Sequence, residues 1–299
     1  MSSGLVRKPH KKLFYSSMVS IFYRSAKKDF GKNINLAYLG GGYVMSLNEG
    51  HLEWMTHIRK SSADAGVELS ICLLEYTLAP ERPYPRQFHQ AIMALNHLQA
   101  SGRHLSNIII GGDSAGGHLS LCIISALMHP YPDANNPLLK VKAFDRLKGC
   151  FVISPLLSWD LSTRSYSDRF SADVLAPYTV QEWGNLVRDN SPLGDEISQG
   201  KGWGMALDVP EEWWDNMDVV DQMLVTGGHE ELFRDHIYQF IDLLRRRTKT
   251  SLASYVALDE AHDGPLLDFC TKSNQSKTTQ LITEWVISTF SMPPKPIDN

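Results

Sequence analysis

Asn107-Ile108-Ile109-Ile110-Gly111-Gly112-Asp113-Ser114-Ala115-Gly116-Gly117 is the stretch that decides the fold. The isoleucines read as a buried strand, and the apolar pattern from Ala115 to Met128 reads as a helix. The strand must turn sharply into that helix with Ser114 at the corner. Gly112 and Gly116 bracket the serine at G-x-S-x-G spacing, where larger residues would collide and the serine backbone is held under strain. A serine in that position faces the free N–H groups and partial positive charge of a helix N-terminus, and the Ala115 amide is placed to join an oxyanion hole. No Lys-Ser or Lys-Thr pair closes the glycines, which excludes a P-loop.

Outward from this corner, short apolar or β-branched runs alternate with helical patterns, the signature of parallel βαβ units. The predicted strands are Ile34 to Leu39, Val67 to Tyr76, Asn107 to Gly111, Gly149 to Ser154, Val219 to Thr226 and Ser251 to Leu258. Helical patterns cover His51 to Ala65, Pro85 to Ala100, Ala115 to Met128, Asp235 to Arg247 and Thr278 to Phe290. The expected fold is α/β, a mostly parallel doubly wound sheet that binds ligands at the carboxyl ends of its strands.

One interval breaks the alternation. Leu156 to Asp218 is about sixty residues without a strand pattern, far beyond an ordinary connection. It holds five of the seven tryptophans, Trp159, Trp183, Trp203, Trp213 and Trp214, with Tyr166, Phe170 and Tyr178. That content argues for an ordered helical lid whose rings wall an apolar pocket. The expected organisation is residues 1–33 as an N-terminal helical segment contributing to the cap, 34–155 and 219–299 as the core, and 156–218 as the lid. Leu13 to Ala26 reads as an amphipathic helix rather than as strands.

Upstream, the first predicted strand ends in Gly40-Gly41-Gly42-Tyr43, and three glycines free the backbone to aim amides inward as a second oxyanion element. Downstream, Gly227-Gly228-His229-Glu230-Glu231 follows the penultimate strand, and Glu260-Ala261-His262-Asp263 follows the last. The chain order serine, acid, histidine is that of a hydrolytic triad on this type of sheet, with His262 as the base. His118 and His229 read as structural or loop residues. The spacing leaves both Glu230 and Glu231 open as the acid.

Together these motifs resemble the hormone-sensitive-lipase-like branch of the α/β-hydrolases, especially fungal esterases similar to versiconal hemiacetal acetate esterase. The resemblance runs from about residue 34 onward. It rests on Gly112-Asp113-Ser114-Ala115-Gly116-Gly117, Tyr76-Thr77-Leu78-Ala79-Pro80-Glu81, Ile153-Ser154-Pro155 and Val209-Pro210-Glu211-Glu212-Trp213-Trp214. The resemblance implies a serine carboxylic-ester hydrolase acting through an acyl-enzyme on a small apolar ester, such as an acetylated secondary metabolite. Counting back from Arg234-Asp235 in the branch's acid motif selects Glu231. The implied catalytic set is Ser114, Glu231 and His262, with Gly40, Gly41, Gly42 and Ala115 as the oxyanion hole, and Tyr43, Asp113, Trp203 and Trp214 toward substrate. Two departures stand out. Leu39 replaces the histidine of the branch's H-G-G-G motif, and the segment ahead of the glycine loop is short, so the N-terminal strands of the branch are expected to be missing. The sheet edge would then be uncovered and available for homodimer pairing.

The composition agrees with an enzyme that takes a small-molecule substrate. With 43% hydrophobic and 21% charged residues the chain can bury a large core, and a net charge of −4 gives no footprint for nucleic acid. No apolar run is long enough to span a membrane. No metal-ligand cluster or cofactor motif is found, so the expected chemistry needs neither. Cys72, Cys122, Cys150 and Cys270 are widely spaced, which reads as free thiols in a reducing, cytoplasmic setting. Two other readings fit the scaffold: non-hydrolytic chemistry such as elimination, cyclisation or pericyclic closure, and a non-catalytic receptor for a small molecule.

Overall fold

The computed structural model describes residues 32–131, 141, 145–169, 171–273 and 275–292, and the backbone of 11–15 and 20–24; Phe170 lies outside them. All six predicted parallel strands are present: β3 (Asn33–Tyr38), β4 (Leu69–Glu75), β5 (Ile108–Asp113), β6 (Gly149–Ile153), β7 (Gln222–Gly228) and β8 (Ser251–Ala257). Ahead of them run β1 (Lys11–Tyr15) and β2 (Ser20–Arg24). The sheet order is β1-β2-β4-β3-β5-β6-β7-β8, antiparallel at β1-β2-β4 and parallel elsewhere.

This corrects two expectations. Residues 11–15 and 20–24, within the segment expected to be helical, form strands, and N-terminal strands expected to be missing are present. The segment's short apolar run has no decisive period, and pairing along Ile71 to Glu75 of β4 supplies the hydrogen bonds that fix it as extended. The edge expected to be open for dimer pairing is therefore occupied by β2.

Helices cover both faces. On one lie α2 (Arg86–Ala100), α3 (Ser114–Met128) and α7 (Arg234–Arg247), with Phe88, Ile92, Ile123 and Phe240 in one apolar core. On the other, α1 (Glu49–Asp64), α8 (Gly264–Cys270) and α9 (Lys277–Ser291) bury Trp54, Ile58, Leu266 and Trp285. Thirteen of the 15 residues of α3 are buried, so it carries no polar face and forms the centre of the molecule. The interval 156–218 holds α4 (Ser165–Asp168), α5 (Pro177–Arg188), α6 (Leu193–Ser198) and a 3-10 turn at Glu211–Trp214. It packs onto α3, where Ser125 Oγ donates to the Gly202 carbonyl at 3.1 Å and receives the Trp213 indole N–H at 3.2 Å. Among the described residues no helix is long and apolar enough to cross a membrane.

Candidate active site

The corner at the end of β5 is built as its glycines require. Ser114 is the first residue of α3 and sits at φ 49°, a left-handed conformation that costs a non-glycine residue about 1–2 kcal/mol. The strain is tolerated because the surroundings are close-packed. A Cβ on Gly112 or on Gly116 would lie 1.9 Å from the Tyr38 carbonyl oxygen. These glycines let β3 and the N-terminus of α3 approach, and the register Tyr38 opposite Gly112 sets the glycine loop beside Ser114.

That loop is held by groups other than the histidine its motif lacks. The Gly40 N–H donates to Asp113 Oδ2 at 3.0 Å, and the Tyr76 hydroxyl donates to the Leu39 carbonyl and lies 3.3 Å from that of Gly40. Leu39 itself is buried beside Trp54 and Phe151 in the apolar core of the α1 face. Asp113 Oδ2 also lies 3.3 Å from His51 Nε2. The expectation for Gly40 is thereby corrected, because its amide is committed to Asp113 and is not free for an oxyanion. Gly41 and Gly42 do line the cleft with Ser114, both with positive φ, and Gly42 lies tight under the Trp183 ring.

The two candidate acids separate clearly. The Glu230 carboxylate pairs with Arg169 at 2.9 Å, whereas Glu231 is fully buried and its Oε2 lies 3.7 Å from His262 Nδ1. A carboxylate removed from water needs a partner, and the Ser154 hydroxyl donates to Glu231 Oε2 at 2.6 Å. Ser154 also accepts the Asp263 N–H at 3.1 Å, tying the β8 loop to the acid. Asp173, from the interval 156–218, spans both loops: it accepts the Leu232 N–H at 2.7 Å and the His262 N–H at 3.0 Å. His262 is buried, and its Nε2 lies 3.2 Å from Asp263 Oδ2. Burial alone would favour the neutral ring, but Asp263, then Glu231 and Asp173, outweigh it and hold the imidazole pKa up at about 10.

Ser114, His262, Asp113, Gly41 and Gly42 share one cleft of about 210 Å3, walled by Met45, Val174, Leu175, Trp183, Leu266 and Leu267. The candidate substrate contacts mostly lie elsewhere. Tyr43 is buried with its hydroxyl 2.6 Å from His118 Nδ1, so neither residue faces this cleft. The Trp203 indole donates to the His129 carbonyl at 2.8 Å, and the Trp214 indole to that of Ala206 at 2.9 Å. Both are interior packing residues, and Trp183, with Val174 and Leu175, provides the wall expected of them. Asp113 lines the cleft, yet its Oδ2 serves Gly40 and His51. Ala115 is fully buried next to Ser114. Sequence reasoning missed His51, Ser154, Asp173 and Asp263. His51 had a legible signal, since Asn48 and His51 form a capping box at the start of α1.

A serine at a strained strand-to-helix corner, with acid and histidine on the two later loops in that order, defines an α/β hydrolase. The sequence profile of the family described as alpha/beta hydrolase fold matches residues 36–263, and the chain belongs to that family, in its hormone-sensitive-lipase-like branch. An esterase of Acinetobacter venetianus is 25% identical over 203 residues, which cover 67% of this chain and 57% of that protein. Mouse hormone-sensitive lipase is 31% identical over 88 residues, 28% of this chain and 11% of the lipase. The chain therefore spans little more than half of the first of these relatives and about a tenth of the second. Among solved structures, an esterase/lipase from an uncultured bacterium superposes with a TM-score of 0.71 at 19% identity, covering 95% of this chain and 85% of its own. A hormone-sensitive lipase from a metagenome library gives 0.67 at 21%, covering 94% and 84%. At these identities the structural likeness speaks for the fold.

Proposed function

We propose that this protein is a serine carboxylic-ester hydrolase acting through an acyl-enzyme on a small, largely apolar ester. The observation that carries the reading is the convergence on one cleft of Ser114 in its left-handed corner and His262, whose Nδ1 faces buried Glu231. Ser114 Oγ attacks the ester carbonyl while His262 takes its proton, and Glu231 fixes the ring and stabilises the imidazolium. The amides of Gly41, Gly42 and Ala115 are the donors assigned to the oxyanion; one such donor is typically worth about 10²–10³ in kcat. His262 then protonates the leaving alcohol, and water clears the acyl group by the reverse sequence.

The compact cleft and its apolar wall support a short acyl chain, as does the likeness to an acetyl-hydrolase of Streptomyces hygroscopicus, 31% identical over 104 residues that cover 34% of this chain. Hydrolysis of p-nitrophenyl acetate, butyrate and decanoate tests the reading. The expected result is turnover of the two short esters, falling at decanoate and abolished by Ser114→Ala. Full turnover of a native substrate by Ser114→Ala would replace hydrolysis with non-hydrolytic chemistry on the same scaffold.

A further inference from the structure

Four carboxylates crowd this end of the sheet, and three take a hydrogen bond on at least one oxygen from a backbone or hydroxyl donor of the fold. Asp113 accepts the Gly40 N–H, Glu231 accepts the Ser154 hydroxyl, and Asp173 accepts the N–H groups of Leu232 and His262. Asp263 differs. Its Oδ1, like Asp113 Oδ1 and Glu231 Oε1, has no hydrogen-bond partner among the described residues, but its Oδ2 meets only the His262 ring, 3.2 Å from Nε2. It is the N-cap residue of α8, where an aspartate ordinarily binds helix N–H groups, yet it makes no such bond. Its backbone is left-handed at φ 56°, fixed by the Ser154 contact to its amide, and it lines the cleft with Ser114. The Asp263 side chain keeps 16% of its surface on the cleft wall, and a carboxylate that takes no backbone or hydroxyl donor from the fold there can take one from a ligand.

The nitrogen that Asp263 touches is the one the chemistry needs. Nε2 must accept the Ser114 proton and later hand it to the leaving alcohol, so a group against Nε2 lies alongside that alcohol. We infer that Asp263 is a specificity residue that selects esters whose alcohol carries a second hydroxyl close to the ester oxygen, as in the monoester of a diol. The inference rests on the esterase reading above. In the free enzyme the Asp263 carboxyl group sits on Nε2, the nitrogen that must receive the Ser114 proton. When the substrate hydroxyl donates to Asp263, its carboxyl group is drawn off Nε2 and the proton held between the two passes to water. Ser114 then passes its hydroxyl proton to the vacated Nε2 as Oγ bonds to the carbonyl carbon. The same proton leaves on the alcohol oxygen when the C–O bond breaks. An alcohol without the second hydroxyl leaves Asp263 on the ring and reacts slowly.

The test compares 2-hydroxyethyl butyrate with propyl butyrate, which replaces the O–H by a methyl group, followed by pH-stat in the wild type, Asp263→Ala and Asp263→Asn. Asparagine tolerates the left-handed backbone, so it carries the test if the alanine variant does not fold. The wild type is expected to prefer the hydroxylated ester by about tenfold or more in kcat/KM, the scale of one hydrogen bond to a charged group. Asp263→Ala is expected to bring the ratio close to one while raising propyl butyrate turnover, and Asp263→Asn to cut the ratio to a few-fold. In both variants the acidic limb of kcat/KM moves to lower pH. His262 loses one anionic neighbour but keeps Glu231 and Asp173, and Asp113 remains paired with His51 across the cleft. Equal wild-type rates on the two esters, or a ratio and pH limb that the variants leave unmoved, would overturn the role of Asp263 alone. If the wild type cleaves neither ester and a fluorophosphonate leaves Ser114 unmodified, the esterase reading fails and this inference fails with it.

Discussion

Two buried histidines with acidic partners line the same cleft as Ser114, and they are built for different work. His51 is fully engaged. Its Nδ1 lies 3.1 Å from Asn48 N and 2.9 Å from Asn48 Oδ1 in the cap of α1, and its Nε2 meets Asp113, which in turn fixes the Gly40 amide. Nothing is left over for a substrate proton. His262 has its backbone anchored by Asp173 and its Nδ1 facing Glu231, while Nε2 is held by a neighbour on the cleft wall, Asp263. A histidine and a carboxylate alone do not mark chemistry; the aspartate on His51 Nε2 also holds the Gly40 amide, whereas the one on His262 Nε2 has no backbone or hydroxyl donor and lines the cleft.

The largest effects should fall on the His262 side. Ser114→Ala or His262→Ala is expected to lower kcat on p-nitrophenyl butyrate by about a millionfold, the scale seen when either member of such a unit is removed. Glu231→Ala is expected to cost about ten-thousandfold, because the ring loses its orienting acid. Glu230→Ala, which breaks a partly exposed pair with Arg169, should stay within a few-fold, and a large loss there would reassign the acid.

On the other side the effects should be smaller and of another kind. Asp113→Ala releases the Gly40 N–H and loosens the loop whose next two residues are assigned to the oxyanion. A fall of about a hundredfold in kcat, with Ser114 still labelled by a fluorophosphonate, is expected. Loss of labelling would show that Asp113 shapes the corner itself. The smallest effect concerns stability. Burial tends to lower the His51 pKa, but Asp113 outweighs it and holds the value above the ordinary range. A raised folded-state pKa contributes stability that is full below about pH 6.5, the unfolded value, and is lost as pH rises through the folded one. Urea unfolding of His51→Gln should therefore show a larger deficit against wild type at pH 5.5 than at pH 9. A deficit independent of pH would mean that His51 acts through packing and the α1 cap alone.

Local pattern carried the parallel sheet and the corner, because runs such as Ile108 to Ile110 and the glycines about Ser114 leave few alternatives. Chain order placed His262, and the structure separates Glu231 from Glu230 by what each carboxylate meets. What escaped the sequence depended on distant partners. Ser20 to Arg24 becomes a strand through pairing with β4, a tertiary effect that no local period reports. The Gly40 amide looked free until Asp113, 73 residues away, was found on it. Aromatic count foretold a ringed wall but not which ring, and Trp183 holds the place expected for Trp203 and Trp214. Asp263 was visible as the neighbour of His262, yet its contact with Nε2 follows from a backbone at φ 56°, which spacing does not disclose.

Intact-mass analysis after treatment with a fluorophosphonate tests the central claim most directly. One adduct per chain, mapped to Ser114 by peptide digestion and absent from both Ser114→Ala and His262→Ala, is the result this account predicts. No adduct on the folded wild type, or an adduct that persists in Ser114→Ala, would contradict it.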